Sequence, residues 1–138
     1  VRRSGDRSRR WEPLATPYEG TFFGTLPLAK GGAVVFGLRG NIFRSEDGKA
    51  WKQVESPTQS LLHGGLALAD ERLVLTAAAG QLLVSADEGR SFRLAAWPGA
   101  ASATATSLWQ AADGGVLLTS DKGVHRLELA DLKMEAAK

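Results

Sequence analysis

The stretch Ser85-Ala86-Asp87-Glu88-Gly89-Arg90-Ser91-Phe92 holds a serine, an aspartate two positions later, a glycine two beyond that and an aromatic ring three further on. Each residue type answers a need of a tight hairpin turn. A short oxygen-bearing side chain accepts backbone N–H groups that the turn leaves unpaired, glycine takes the positive φ that closes it, and the ring packs beneath. Ser45-Glu46-Asp47-Gly48-Lys49-Ala50-Trp51 is the same pattern one residue short. Ser4-Gly5-Asp6-Arg7-Ser8-Arg9-Arg10-Trp11 keeps Ser4, Asp6 and Trp11 but puts Ser8 where glycine is expected. The aspartates Asp6, Asp47 and Asp87 therefore read as structural, because acid–base catalysis needs carboxylates converging in a cleft and a surface turn supplies only one.

The turns belong to a repeat. Trp11 and Trp51 are 40 residues apart, Trp51 and Phe92 are 41 apart, and each aromatic is followed six positions later by a proline, namely Pro17, Pro57 and Pro98. Gly40 and Gly80 stand 23 residues beyond their prolines and Gly123 stands 25 beyond Pro98. Short β-rich runs fill each interval, such as Ala33-Val34-Val35-Phe36 and Leu73-Val74-Leu75, and no interval carries a helical apolar stripe. Four strands in about 40 residues is the blade of a β-propeller. The expected organisation is one all-β partial propeller over residues 1–138, with repeats at about 11–51, 51–92 and 92–128 and a tail 129–138 in which residues 129–137 form at most a short helix. The expected strand order is one opening strand at residues 11–15, then four, four and three. That is three blades' worth.

Composition bounds the rest. The chain has 138 residues, 43% of them apolar, and no apolar run of the roughly 20 residues that a membrane-spanning helix needs. Without cysteine there is neither a disulfide frame nor a thiolate metal site. The start carries arginines at Arg2, Arg3, Arg7, Arg9 and Arg10 but no apolar segment behind them, so it is not expected to be a signal peptide, and the lack of an initiating Met suggests a processed or truncated product. With a net charge of only +2, local basicity favours an acidic protein surface over nucleic acid, and the arginine-rich start reads first as a solvated, frayed end.

The pattern resembles the Asp-box of BNR-like propellers. Together with Pro17-Tyr18-Glu19-Gly20-Thr21-Phe22-Phe23-Gly24 and Gly37-Leu38-Arg39-Gly40-Asn41-Ile42-Phe43-Arg44, the chain resembles the photosystem II assembly and stability factor family and its non-photosynthetic bacterial relatives. The resemblance implies a seven-bladed propeller, usually exported to an extracytoplasmic space such as the periplasm. It also implies an assembly scaffold that meets a membrane-protein partner partly through arginines.

Three residues are candidate partner contacts. Arg39 breaks the repeat in a tight turn where Ala79 and Lys122 stand in the other two, and Tyr18 and Glu19 follow the first repeat proline without an echo elsewhere. A solvated turn residue is the alternative for each. His63 and His125 lack partners at metal-ligand spacing, and no phosphate loop, nucleophile elbow or cofactor motif occurs. Trp97 and Trp109 read as packing between blades, with an exposed stacking platform as the second reading. The function expected is a non-catalytic binding or assembly scaffold without metal or cofactor. The alternative is a fragment of a sialidase-type glycoside hydrolase, a family that relies on an arginine triad and a tyrosine nucleophile. An arc of three blades leaves apolar faces open, so either a second copy closes a two-fold ring of six blades or further blades of the same product stay bound.

Overall fold

The computed structural model describes residues 1–96 and 103–132. Its strands lie in antiparallel sheets whose consecutive members pair with one another. Strands β1 (Arg2–Arg3) and β2 (Glu12–Pro13) form a two-stranded ribbon. β3 (Phe22–Pro27), β4 (Ala33–Gly37), β5 (Ile42–Ser45) and β6 (Lys52–Val54) form the first four-stranded sheet, and β7 (Leu62–Ala67), β8 (Leu73–Ala77), β9 (Gln81–Ser85) and β10 (Arg93–Ala96) the second. β11 (Ala105–Gln110), β12 (Val116–Ser120) and β13 (Gly123–Leu127) form a three-stranded third sheet. The innermost strands β3, β7 and β11 lie side by side.

Both faces of the middle strands of the first two sheets are covered, which explains their continuous apolar runs. Every residue of β8 is buried. Alternation along the strands sorts these residues between two seams. One seam joins the first two sheets through Leu26, Val34, Phe36 and Ile42 on one side and Leu73, Leu75, Leu83 and Phe92 on the other. The other joins the second and third through Val74, Leu82 and Val84 against Ala105, Leu118 and Leu127.

Each innermost strand carries a bulge at the same place, around Phe23, His63 and Thr106. In the second sheet the backbone N–H freed there is taken up from within: Gly64 N–H donates to Thr76 Oγ1 at 2.9 Å, which lets a fully buried threonine sit in a seam.

The opening of the chain departs from the expected single strand at residues 11–15. It is a hairpin, with Arg3 opposite Glu12, because the turn of residues 4–11 folds the arginine-rich start back onto the strand. In the tail, Leu129–Asp131 makes one 3-10 turn. Trp97, Pro98 and residues 133–137 lie outside the described residues.

Candidate functional site

Antiparallel pairing gives each sheet two ends. The Ser-x-Asp turns lie at one, and the β4–β5 and β8–β9 turns lie at the other with the linkers between sheets. The two ends differ chemically.

At the first end, serine and aspartate organise the turn as their spacing suggests. Ser85 Oγ donates to Asp87 Oδ1 at 2.8 Å and accepts Gly89 N–H at 2.9 Å, while Asp87 Oδ1 accepts Ser91 N–H at 2.9 Å. The turn of Ser4 repeats the scheme, with Ser8 N–H on Ser4 Oγ at 2.8 Å and Arg10 N–H on Asp6 Oδ1 at 2.8 Å. In the shorter turn Asp47 Oδ1 accepts Lys49 N–H at 2.8 Å and Ala50 N–H at 3.0 Å. Backbone angles account for the missing residue. The full-length turns place two residues at positive φ, Arg7 and Ser8 in one and Glu88 and Gly89 in the other, whereas the short turn has Gly48 alone. The deletion removes the left-handed non-glycine residue, which L-residues occupy at a cost.

Hydrogen bonding holds these carboxylates ionised. The backbone N–H of Arg10 chiefly lowers the pKa of Asp6, and those of Ala50 and Lys49 lower that of Asp47. For Asp87 burial pulls upward, but the hydroxyl and N–H of Ser91 outweigh it and the net shift is downward. An ionised, acceptor-saturated carboxylate is a turn fastener and a poor proton donor. The aromatics that follow differ: Phe92 is 7% exposed, Trp51 is half-buried, and Trp11 is 53% exposed rather than tucked beneath its turn.

An arginine ahead of the serine in one turn reaches the next turn and ties it back to the strand that carries the arginine. Arg44 Nε donates to the Glu88 carbonyl at 2.8 Å, and Arg3 Nη1 donates to the Asp47 carbonyl at 3.2 Å. Both reach 44 residues forward. Arg3 is thus engaged, not frayed, and the signal for the pair was the Arg-Ser doublet at 3–4 and 44–45. Around Arg44 the surface carries ion pairs of Glu46 with Arg44 and Arg90, and of Glu88 with Lys30 and Arg90. Charge around Arg44 is internally matched, whereas Arg7, Arg9 and Arg10 on the turn of residues 4–11 at the same end make no ion pair among the described residues.

Arg39 lies at the opposite end. It and Ala79 hold the same left-handed conformation, φ 57° and 59°, each followed by a glycine at positive φ, the pairing that tight hairpin turns require. The third turn differs, since positive φ falls only on Gly123, after Lys122. Glycine at 40 also answers a close approach, because a side chain there would collide with the Thr58 carbonyl of the linker to the next sheet. The exposed Arg39 guanidinium makes no hydrogen bond or ion pair with the described residues. It borders an open groove of about 460 Å³ whose floor and walls include Asn41, Gln53, Glu55, Ser56, Thr58 and Gln59. Gln53 Nε2 donates to Asn41 Oδ1 at 3.2 Å, so the groove is lined by preset amides.

Tyr18 and Glu19 lie at the same end, beside the β4–β5 turn, where Leu38 N–H donates to the Thr21 carbonyl at 3.0 Å. The Tyr18 ring stacks on Phe43 with centroids 5.8 Å apart and meets Phe22 edge-on at 5.5 Å. It is half-buried and caps the outer face of the first sheet, while Glu19 is exposed. Trp109 is 62% exposed on β11. His63 and His125 are half-buried, and among the described residues no three His, Cys, Asp or Glu side chains gather as metal ligands. No helix among those residues is long and apolar enough to cross a membrane.

No protein-family profile matches the chain, and no curated protein matches it in sequence. Among solved structures, that described as YCF48 bound to D1 peptide superposes with a TM-score of 0.65 over 98% of this chain at 13% identity. The likeness establishes the fold as a β-propeller of which this chain supplies three blades' worth. The chain spans 45% of the length of that protein.

Proposed function

We propose that this chain is a non-catalytic binding scaffold that takes an acidic peptide or protein surface at the end of the blades bearing Arg39. The observation that carries the reading is the exposed Arg39 guanidinium, unpaired among the described residues and set beside a groove of preset amides, whereas the arginine that ties the sheets at the other end, Arg44, is matched by Glu46 and Glu88. A free guanidinium offers bidentate hydrogen bonds to a carboxylate. The amides supply the partners that an extended backbone needs. YCF48, whose structure has a D1 peptide bound, supports a protein partner for this fold. In this reading the Glu55 carboxylate on the groove wall, with Glu19 exposed at the same end, sets specificity by repelling acidic residues there, and Tyr18 fastens the loop that carries Glu19.

Fluorescence anisotropy with a labelled acidic peptide and its amidated, neutral counterpart tests the proposal. The acidic peptide binds more tightly, its affinity falls as salt rises, and Arg39→Ala weakens it about tenfold, the loss of one charge-assisted hydrogen bond. Affinity indifferent to both salt and Arg39→Ala overturns it. Turnover of fluorogenic glycosides would revive the hydrolase alternative.

A further inference from the structure

Cross-strand register aligns the sheets position by position. Leu26, Val34 and Arg44 of the first sheet lie in one row, as do Leu66, Val74 and Val84 of the second and Trp109, Leu117 and Arg126 of the third. Ile42, Leu82 and Val124 are equivalent one row away. In the first two sheets these rows form the seam with the next sheet, and Val34, Ile42, Val74, Leu82 and Val84 are 0–1% exposed. In the third sheet the same rows face outward, leaving Trp109 62% and Val124 69% exposed.

The Arg44 position also specifies what covers it. Where arginine stands there, at Arg3 and Arg44, the covering turn is a Ser-x-Asp turn whose carbonyl it holds. Where Val84 stands, Leu127 and Leu129 occupy the serine and aspartate positions of the next sheet, and that seam is apolar apart from Thr76. The third sheet returns to arginine with Arg126, which meanwhile pairs on the surface with Asp113 and Glu128. Conversely, the turn of residues 4–11 has the full hydrogen-bond scheme, yet no arginine from another sheet holds it among the described residues. Its Trp11, equivalent to the seam residue Phe92, is 53% exposed.

We propose that the open face of the third sheet takes the 4–11 turn of a second copy of this chain. Trp11 packs on Trp109 and Val124, and Arg126 exchanges its surface partners for a carbonyl of that turn. A two-fold axis brings the turn of each copy to the open sheet of the other, so both seams close together. This inference stands apart from the Arg39 groove, which lies on the first sheet and its linker to the second.

Sedimentation equilibrium across a concentration series tests it. The parent sediments as a dimer of about 29 kDa, twice the 14.6 kDa of one chain. Val124→Asp on the open face and Trp11→Asp on the turn each give monomers, yet mixing the two variants restores a pair, because one intact turn still meets one intact face. Arg126→Ala, outside the core, raises the dimer dissociation constant about tenfold with an unchanged circular dichroism spectrum, and serves if either aspartate variant fails to fold. A parent that stays monomeric overturns the proposal, as does a larger open assembly, an Arg126→Ala dimer as tight as the parent, or a variant mixture that stays monomeric.

Discussion

The second and third sheets turn faces of the same register in the same direction, and their fates differ. On the second, Val74, Thr76, Leu82 and Val84 are at most 1% exposed beneath the third sheet. On the third, the equivalent Leu117, Thr119, Val124 and Arg126 form a face that no described residue covers. The turns show the same contrast. Ser85 and Asp87 organise a turn wedged against the first sheet, where Gly89 would meet the Val34 side chain at 2.7 Å if it carried a Cβ, whereas Ser4 and Asp6 organise an equivalent turn in solvent. Local hydrogen bonding thus builds the turn whether or not a sheet receives it. Burial in a seam decides how much that turn matters to stability.

The comparison can be broken most forcefully at Leu82. Leu82→Ala in the covered seam should cost about 3 kcal/mol by lost transfer energy and an unfilled cavity, read from urea unfolding. Val124→Ala, its counterpart, should change the stability of a single chain by less than about 0.5 kcal/mol. Equal losses at the two sites would mean that the third sheet is covered after all.

Gly89→Ala comes next, at about 2 kcal/mol, since the new methyl is strained at φ +80° and presses on Val34. A thermal melt unchanged by this substitution would show that the turn does not wedge into the seam.

Asp87→Ala should cost about 1–2 kcal/mol through the N–H and hydroxyl of Ser91 left without their acceptor. Asp6→Ala should cost less, because water replaces the lost acceptor at an exposed turn. If the two variants melt alike, the local turn governs stability and the seam does not.

The smallest effect is a pH dependence. Folded-state values of Asp6, Asp47 and Asp87 lie below the ordinary carboxylate value, about 3.9 in an unfolded chain. Groups so shifted contribute stability that is fully present above that value and lost as pH falls through the folded one. The melting temperature should therefore drop below about pH 4, and the drop should be shallower in Asp87→Ala than in the parent. Identical acid profiles would remove the aspartates from the account.

Much of the fold was legible because a repeat multiplies weak signals. The aromatic-to-proline and proline-to-glycine spacings placed four strands per interval, and glycine at 40, 80 and 89 announced backbone angles that few other residues adopt. The opening hairpin was missed because Arg2 and Arg3 carry no strand pattern; their pairing depends on the turn beyond them. Arg39 was legible as a break in the repeat, but its lack of an ion pair was not, since that depends on which charges the ends of the sheets bring together.

Sequence by itself determined the turns, the strands of the three sheets and the β-propeller class, because hydrogen bonds to the nearest backbone groups and the two-residue alternation of strands depend on neighbours along the chain. Tertiary structure alone decided which face is a seam and which is open, that Trp11 and Trp109 stand exposed while Phe92 is buried, and that Arg3 and Arg44 reach 44 residues forward to hold the next turn. Those properties depend on residues a full repeat away, and only the packing of one sheet on the next brings them within reach.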